Sequence, residues 1–286
     1  MLFGLGALLA LAAELPFGGW LQIPILSIVW WRLRNEASQT TKQYYAFGLI
    51  FGLGYFLIGL WWLYISMHVV GGMNPVLSAI AVLLLSLYVA LYFSAATFTI
   101  RHFKQSQIAG LLLAASWVVA EYLRGCIFTG FPWMGFAENQ LDGPFSPIAP
   151  VFGGLACTFL VVWASWEILQ MRTHPIKRIV ILLAAIAVIQ FAGKISFTKP
   201  FGEPISVRLI QGNFEQSLKF NPQAIGQQID FYVSEIQKQA ADLIIIPETA
   251  FPWPQNNLPS GLLNYLQNYS NTSLSNLLLG LVGEVP

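Results

Sequence analysis

The stretch V-L-S-A-I-A-V-L-L-L-S-L-Y-V-A-L-Y-F-S-A-A-T-F-T-I, residues 76–100, contains no charged residue, no proline and no glycine. About 20 apolar residues in a helix cross the hydrocarbon core of a bilayer, so this run predicts a membrane-spanning helix. Outward from it, apolar runs recur at 2–14, 16–31, 44–66, 108–123, 151–170 and 179–197, which makes seven predicted crossings in all. The first two are short. They meet at E-L-P-F-G-G (14–19), a turn-rich junction that suggests a tight hairpin or a pair of tilted half-spans.

Composition agrees with that reading. The 286 residues are 56% hydrophobic, 14% aromatic and 9% charged, with a mean hydropathy of +0.63. A soluble globule carries about 25% charged residues. The shortfall excludes a cytosolic enzyme and a disordered chain, and a net charge of +1 without a basic patch excludes a nucleic-acid binder. The two cysteines, Cys126 and Cys157, sit in or beside apolar runs and offer neither metal-ligand spacing nor a disulfide framework.

Charge divides the chain. Residues 1–200 hold 11 Lys+Arg against 6 Asp+Glu, whereas residues 201–286 hold 3 against 7. A membrane part, 1–200, is therefore expected to precede a polar domain, 201–286. Arg32, Arg34 and Lys42 form one basic loop, Arg101 and Lys104 a second, and Arg172, Lys177 and Arg178 a third, with two crossings between neighbours. Retention of basic residues on the cytoplasmic side then puts the N-terminus inside and the polar domain outside. A cleaved signal peptide at 1–14 is disfavoured, since no basic region precedes the apolar stretch.

The polar domain reads as β-α-β-α-β, an α/β order. A strand is expected within P-I-S-V-R-L-I-Q (204–211), and Asn221 followed by Pro222 starts a helix as N-cap and first-turn proline. That helix runs to about Ala240 with Ile225, Ile229, Tyr232, Val233 and Ile236 on one face. D-L-I-I-I (242–246) is a short buried strand, 261–269 a second helix and 277–282 a last strand.

Four groups of residues invite a chemical reading. Glu248 follows the 242–246 strand in I-P-E-T-A (246–250), where a partly dry position would raise its pKa toward that of a general base; the alternative is a solvated strand-end turn. Residues 129–147, with Phe131, Trp133, Glu138 and Asp142, are too broken for a span and too aromatic for a water-exposed loop, and read as a lipid-facing rim or as structural packing. Glu121 and Arg124 lie on one helical face, either as a structural pair or as a headgroup clamp. Cys126 and Cys157 lack an evident base and read as packing residues, and His68, His102 and His174 are too scattered to assemble a metal site.

The order of motifs then becomes telling. T-G-F-P-W (129–133), D-G-P (142–144), Q-G-N (211–213), Q-S-L-K (216–219) and P-E-T-A (247–250) together resemble the bacterial apolipoprotein N-acyltransferases. The resemblance implies a multi-pass protein of the bacterial inner membrane that carries a periplasmic nitrilase-like domain, an α-β-β-α sandwich with a Glu-Lys-Cys triad. It implies transfer of an acyl chain from a phospholipid, through a cysteine thioester, to the N-terminal amine of a diacylglyceryl-cysteine lipoprotein, with no cofactor and no metal. By the same resemblance Glu248 matches the triad glutamate, and Lys219 and Phe220, with Phe131 and Trp133, border the substrate site. Phe220 departs from the Trp usual after that lysine. The family's triad lysine and cysteine lie well downstream of the P-E-T-A motif, so 201–286 is expected to be the N-terminal part of the sandwich and the chain inactive alone. The alternative is a non-catalytic remnant or a lipid-binding paralogue. A transporter finds little support, because the spans hold few polar residues beyond Glu121, Glu167 and Lys194.

Overall fold

The computed structural model describes residues 1–35, 40–103, 105–215, 221–248 and 250–283. Lys104, residues 216–220 and Thr249 from the motifs above lie outside them, so the structure does not bear on Lys219 and Phe220. The chain divides into two compact units, Met1–Thr198 and Lys199–Pro286.

The first unit is helical: α1 (Leu2–Ala13), α2 (Gly18–Asn35), α3 (Thr41–Gly59), α4 (Trp61–Tyr64) with a π-helical extension (Ile65–Val70), α5 (Pro75–Phe103), α6 (Ala109–Cys126), α7 (Ala149–Phe152), α8 (Gly154–Gln170) and α9 (Pro175–Ala192). Every predicted crossing is thus helical, with 44–66 and 151–170 each divided between two helices. Among the described residues, three helices are long and apolar enough to cross a membrane: Pro75–Phe103, Ala109–Thr129 and Pro175–Ala192. A fourth candidate is the pair Thr41–Gly59 and Trp61–Val70, bent by 53° at the break, whereas Leu2–Ala13 and Gly154–Gln170 are apolar but shorter.

This unit is arranged for an apolar solvent. Large apolar side chains such as Leu84 and Leu91 face outward, while Gln22, Ser86, Thr97, Glu121, Arg124 and Thr158 are buried. On α9 only Leu182 and Ile189 are buried. Lipid tails give no hydrophobic drive for helices to associate, so close packing must come from small residues, and α3 supplies them on two faces. A Cβ at Gly48 would lie 2.3 Å from the Thr97 hydroxyl of α5, and one at Gly54 would lie 2.1 Å from the Phe3 carbonyl oxygen of α1. Below these contacts Phe93, Trp117 and Phe136 form the aromatic centre, with ring separations of 4.4 Å and 5.1 Å.

The second unit holds β1 (Val207–Leu209), α10 (Pro222–Lys238), β2 (Leu243–Ile245), α11 (Leu262–Ser273) and β3 (Asn276–Leu278). The strands are shorter than the apolar runs that announced them, because only three residues of each enter the ladder. They pair in parallel in the order β1-β2-β3, with Arg208, Ile244 and Leu277 in one register row. Parallel neighbours need a crossover connection, which α10 and α11 provide. Asn221 caps α10, its side-chain oxygen accepting the Ala224 N–H at 3.4 Å.

Ile225, Ile229, Tyr232 and Ile236 of α10 bury against Ile244, Ile246 and Leu266, a spacing of four, three and four that follows the helical period. The other sheet face is different. Val207, Leu209 and Leu278 point away from the helices and are 49%, 73% and 56% exposed, although parallel strands ordinarily bury both faces.

Candidate functional site

Two constellations stand out, one in each unit. In the first, α6 projects Glu121 and Arg124 into the interior, where both are buried. They do not form the ion pair that their spacing suggested. Each instead holds the 129–147 segment: the Glu121 carboxylate accepts the Phe136 N–H at 2.9 Å and the Thr158 hydroxyl of α8 at 2.8 Å. Arg124 donates through Nη1 to the Trp133 carbonyl, and its guanidinium lies 5.2 Å over the Phe56 ring. A buried charge in a span is costly unless its hydrogen-bonding capacity is used, and a loop with many free backbone groups uses it.

The segment is tied at further points. Glu138 accepts the Met134 N–H at 2.9 Å, and Gln140 donates to the Gly19 carbonyl at 2.8 Å. Asp142 accepts the N–H of Phe17 and, at 3.3 Å, that of Gly19. Its carboxylate therefore sits at the start of α2, where unpaired N–H groups and the helix dipole favour an anion. The path is contorted, with φ of 52°, 72° and 62° at Phe128, Thr129 and Met134. Gly130, at φ 82°, is required: a Cβ would meet the Gly125 carbonyl oxygen at 2.0 Å. Phe131 and Trp133 stack at 5.0 Å, with Trp133 half exposed.

Cys157 is buried and its thiol donates to the Phe145 carbonyl at 3.3 Å, while Cys126 is exposed. Among the described residues no group of acidic, histidine or cysteine side chains could hold a metal ion.

In the second unit the carboxyl ends of the strands converge. After β1 the chain passes through Gln211, Gly212 and Asn213; after β2 it reaches Glu248; after β3 it reaches Gly280. The crevice outside the carboxyl ends of parallel strands is where α/β sheets place ligands. Two residues one turn apart on α10 pin these loops: Tyr232 accepts the Gly212 N–H at 3.2 Å, and Gln228 donates to the Ala250 carbonyl at 2.9 Å.

Gly280 lies against the stem of Glu248. A Cβ at Gly280 would lie 2.9 Å from Glu248 Cα and 3.3 Å from its Cγ, so only glycine lets the two loops approach this closely. The residue is exposed. The partly dry setting expected from the sequence is therefore not found in this unit, because the ladder stops at Ile245 and the turn from Pro247 to Ala250 carries the acid beyond the sheet.

Comparison with known proteins bears on both constellations. Residues 5–166 match the model of the apolipoprotein N-acyltransferase N-terminal domain, a stretch that includes the 129–147 segment and its anchors on α6 and α8. The chain belongs to the apolipoprotein N-acyltransferase family. It is 35% identical to an apolipoprotein N-acyltransferase of Ralstonia nicotianae over 96% of this chain and 54% of that protein. Its identity to the apolipoprotein N-acyltransferases of Nitrosomonas europaea and Haemophilus influenzae is 34% in each case, over 91% and 88% of this chain and 53% and 50% of those proteins. The chain spans about half the length of the curated relatives it matches. The similarity to the Ralstonia protein covers 96% of this chain and so extends past the family-model match into the second unit that carries Glu248.

Sequence reasoning missed what Asp142, Gln140 and Thr158 do. The first had a signal: α2 opens at Gly18 and Gly19, which have no side chain to cap it, so an acceptor from elsewhere in the chain is required.

Proposed function

We propose that this chain forms the membrane part and the first strands of the catalytic domain of an apolipoprotein N-acyltransferase, with Glu248 as its general base. The observation that carries the reading is the position of Glu248 at the carboxyl end of the central parallel strand, fixed by Gly280 and flanked by the loops after β1 and β3. The exposed apolar face of Val207, Leu209 and Leu278 supports a nitrilase-like sandwich, in which a second sheet packs about 10 Å away.

Chemically, Glu248 takes the proton of a cysteine thiol, and the thiolate attacks the ester carbonyl of a phospholipid. The C–S bond forms, the ester C–O bond breaks, and the proton passes to the departing lysophospholipid hydroxyl. In the second half the free amine of a diacylglyceryl-cysteine attacks the thioester, Glu248 accepts its proton, and the thiol is regenerated as the amide forms. A lysine stabilises the oxyanion of each tetrahedral intermediate. This reading assigns neither Cys126 nor Cys157 as the acyl carrier.

The topology follows from charge. With all seven predicted crossings inserted and the basic loops in the cytoplasm, Lys199–Pro286 lies on the periplasmic side of the inner membrane, where lipoprotein amine and acyl donor meet. In this arrangement the apolar groove of about 470 Å³ between Trp61, Tyr64, Val76, Ile80 and Leu83 opens toward the outer leaflet and suits an acyl chain. Phe131 and Trp133 are assigned to a lipid-facing rim, and the family resemblance assigns Lys219 and Phe220 to the substrate site.

The test uses phosphatidylethanolamine carrying a labelled acyl chain, incubated with membranes that contain this 286-residue chain. No hydroxylamine-labile label is expected on it. Label that is lost in Cys126→Ser or Cys157→Ser would show that the acyl carrier lies within this sequence and would refute the assignment.

A further inference from the structure

The end of the bundle away from the 129–147 segment carries a different feature. Arg34 closes α2 and Arg172 follows α8, and each stacks on a tryptophan of the opposite helix. The Arg34 guanidinium lies 5.9 Å from the Trp166 ring and that of Arg172 lies 6.0 Å from Trp31. Neither arginine has a carboxylate partner among the described residues. The buried carboxylate nearest in sequence, Glu167, is engaged by Arg178 at 2.5 Å. Two cations are thus held in place by aromatic faces and left with donors free.

They border a cavity. A space of about 330 Å³ is lined by Trp31, Arg34, Asn35, Leu169, Arg172 and Thr173. A second space of about 190 Å³ shares Trp31, Leu169 and Arg172 and runs on between Ser27, Ile28 and Ile168. Polar donors at one end and an apolar groove along the helices at the other match the division of a phospholipid into headgroup and chain. The two positive charges specify an anionic headgroup, and basic pockets between helices at a membrane face bind such lipids. The groove is not the one proposed above for the acyl chain: that one lies between Trp61, Tyr64, Val76, Ile80 and Leu83 and shares no lining residue with this one.

We propose that the groove between the C-terminal ends of α2 and α8 holds an anionic phospholipid as a resident, non-substrate lipid, its phosphate on Arg34 and Arg172 and one chain along Ile28 and Ile168.

The test is native mass spectrometry of the whole chain in non-ionic detergent, titrated with phosphatidylglycerol and, in parallel, with phosphatidylcholine. Phosphatidylglycerol binds more tightly to the native chain. Arg34→Gln with Arg172→Gln weakens it about 30-fold, from two headgroup cations, and weakens phosphatidylcholine less, because the choline charge offsets its phosphate. Lys42→Gln with Lys177→Gln removes the same charge outside the groove and leaves both lipids unchanged. Ile28→Trp fills the apolar part with both arginines intact and weakens both lipids, which keeps the proposal testable should the double arginine variant not fold. Unchanged phosphatidylglycerol affinity in either groove variant overturns the proposal. So does an equal loss in the lysine variant, which would mean diffuse charge attraction, and so does displacement of the lipid by equimolar inorganic phosphate, which would mean a free-anion site.

Discussion

Removal of the Glu121 side chain should release the 129–147 segment from the helices. In Glu121→Ala the Phe136 N–H and the Thr158 hydroxyl, now 2.9 Å and 2.8 Å from the carboxylate, both lose their acceptor inside a buried site. Hydrogen bonds between membrane helices average about 0.6 kcal/mol and reach about 1.7, whereas bonds to a charged group in water-soluble proteins are worth about 1.5–3 kcal/mol. Two such bonds, with a small void left by the shorter side chain, give a loss of about 2–4 kcal/mol. Glu121→Gln keeps the shape and the acceptor for Phe136 and should cost about 1 kcal/mol. Equilibrium unfolding in mild detergent measures both values, and limited proteolysis within 129–147 reports whether the segment itself has come loose. Thr158→Val added to Glu121→Ala should cost little more, because the bond it removes is already gone. Equal losses for Ala and Gln, full additivity with Thr158→Val, or an unaltered cleavage pattern in Glu121→Ala would each refute the view that this carboxylate is the loop's anchor.

Other expectations follow from the same geometry. Gly54→Leu drives a side chain into the Phe3 carbonyl, 2.1 Å from the Cβ position, and should cost about 1–3 kcal/mol, read as a lower melting temperature in detergent; an unchanged value would mean α1 is loosely held. Asp142→Ala removes the acceptor at the start of α2 and should cost about 0.5–2 kcal/mol, with faster amide exchange at Phe17 and Gly19. In the second unit, the Ser206 hydroxyl and N–H, both 2.7 Å from Asp242, hold that carboxyl below its usual range. A depressed folded pKa contributes stability above the ordinary value of about 3.9 and loses it as pH falls through the folded value. Exchange of the Leu243 amide, bonded to Ser206 at 3.1 Å, should therefore quicken below about pH 4, and Asp242→Ala should abolish that acid step. Gly280→Ala pushes on Glu248 Cα from 2.9 Å and, in a form of the protein that carries the complete triad, should lower kcat by about tenfold while the melting of the membrane unit stays the same.

Much of this was legible in the residues because the signals were periodic. The run at 76–100 became part of a 29-residue helix, Pro75–Phe103, since nothing in it competes with helix formation in an apolar solvent. Ile225, Ile229, Tyr232 and Ile236 became the buried face of α10 because their spacing admits one helical register. The break in the third apolar run at 59–61, with its 53° bend, was not legible: neither proline nor charge marks it. Nor was the partnership of Glu121, whose spacing from Arg124 suggested a pair. The competing attraction came from one backbone N–H 15 residues away and a hydroxyl 37 residues away, and separation of that kind leaves no local pattern. The surroundings of Glu248 were not legible: a partly dry position was expected and the residue is exposed, because exposure at a strand end depends on what packs beyond the strand.

The most direct test of the account is thioester formation in a form of this protein carrying the family's triad lysine and cysteine, compared between the native residue and Glu248→Gln after a single exposure to labelled phospholipid. The account predicts a hydroxylamine-labile acyl adduct on the native protein and none on Glu248→Gln, with membrane insertion and melting the same for both. An adduct that forms at an equal rate in Glu248→Gln would contradict it.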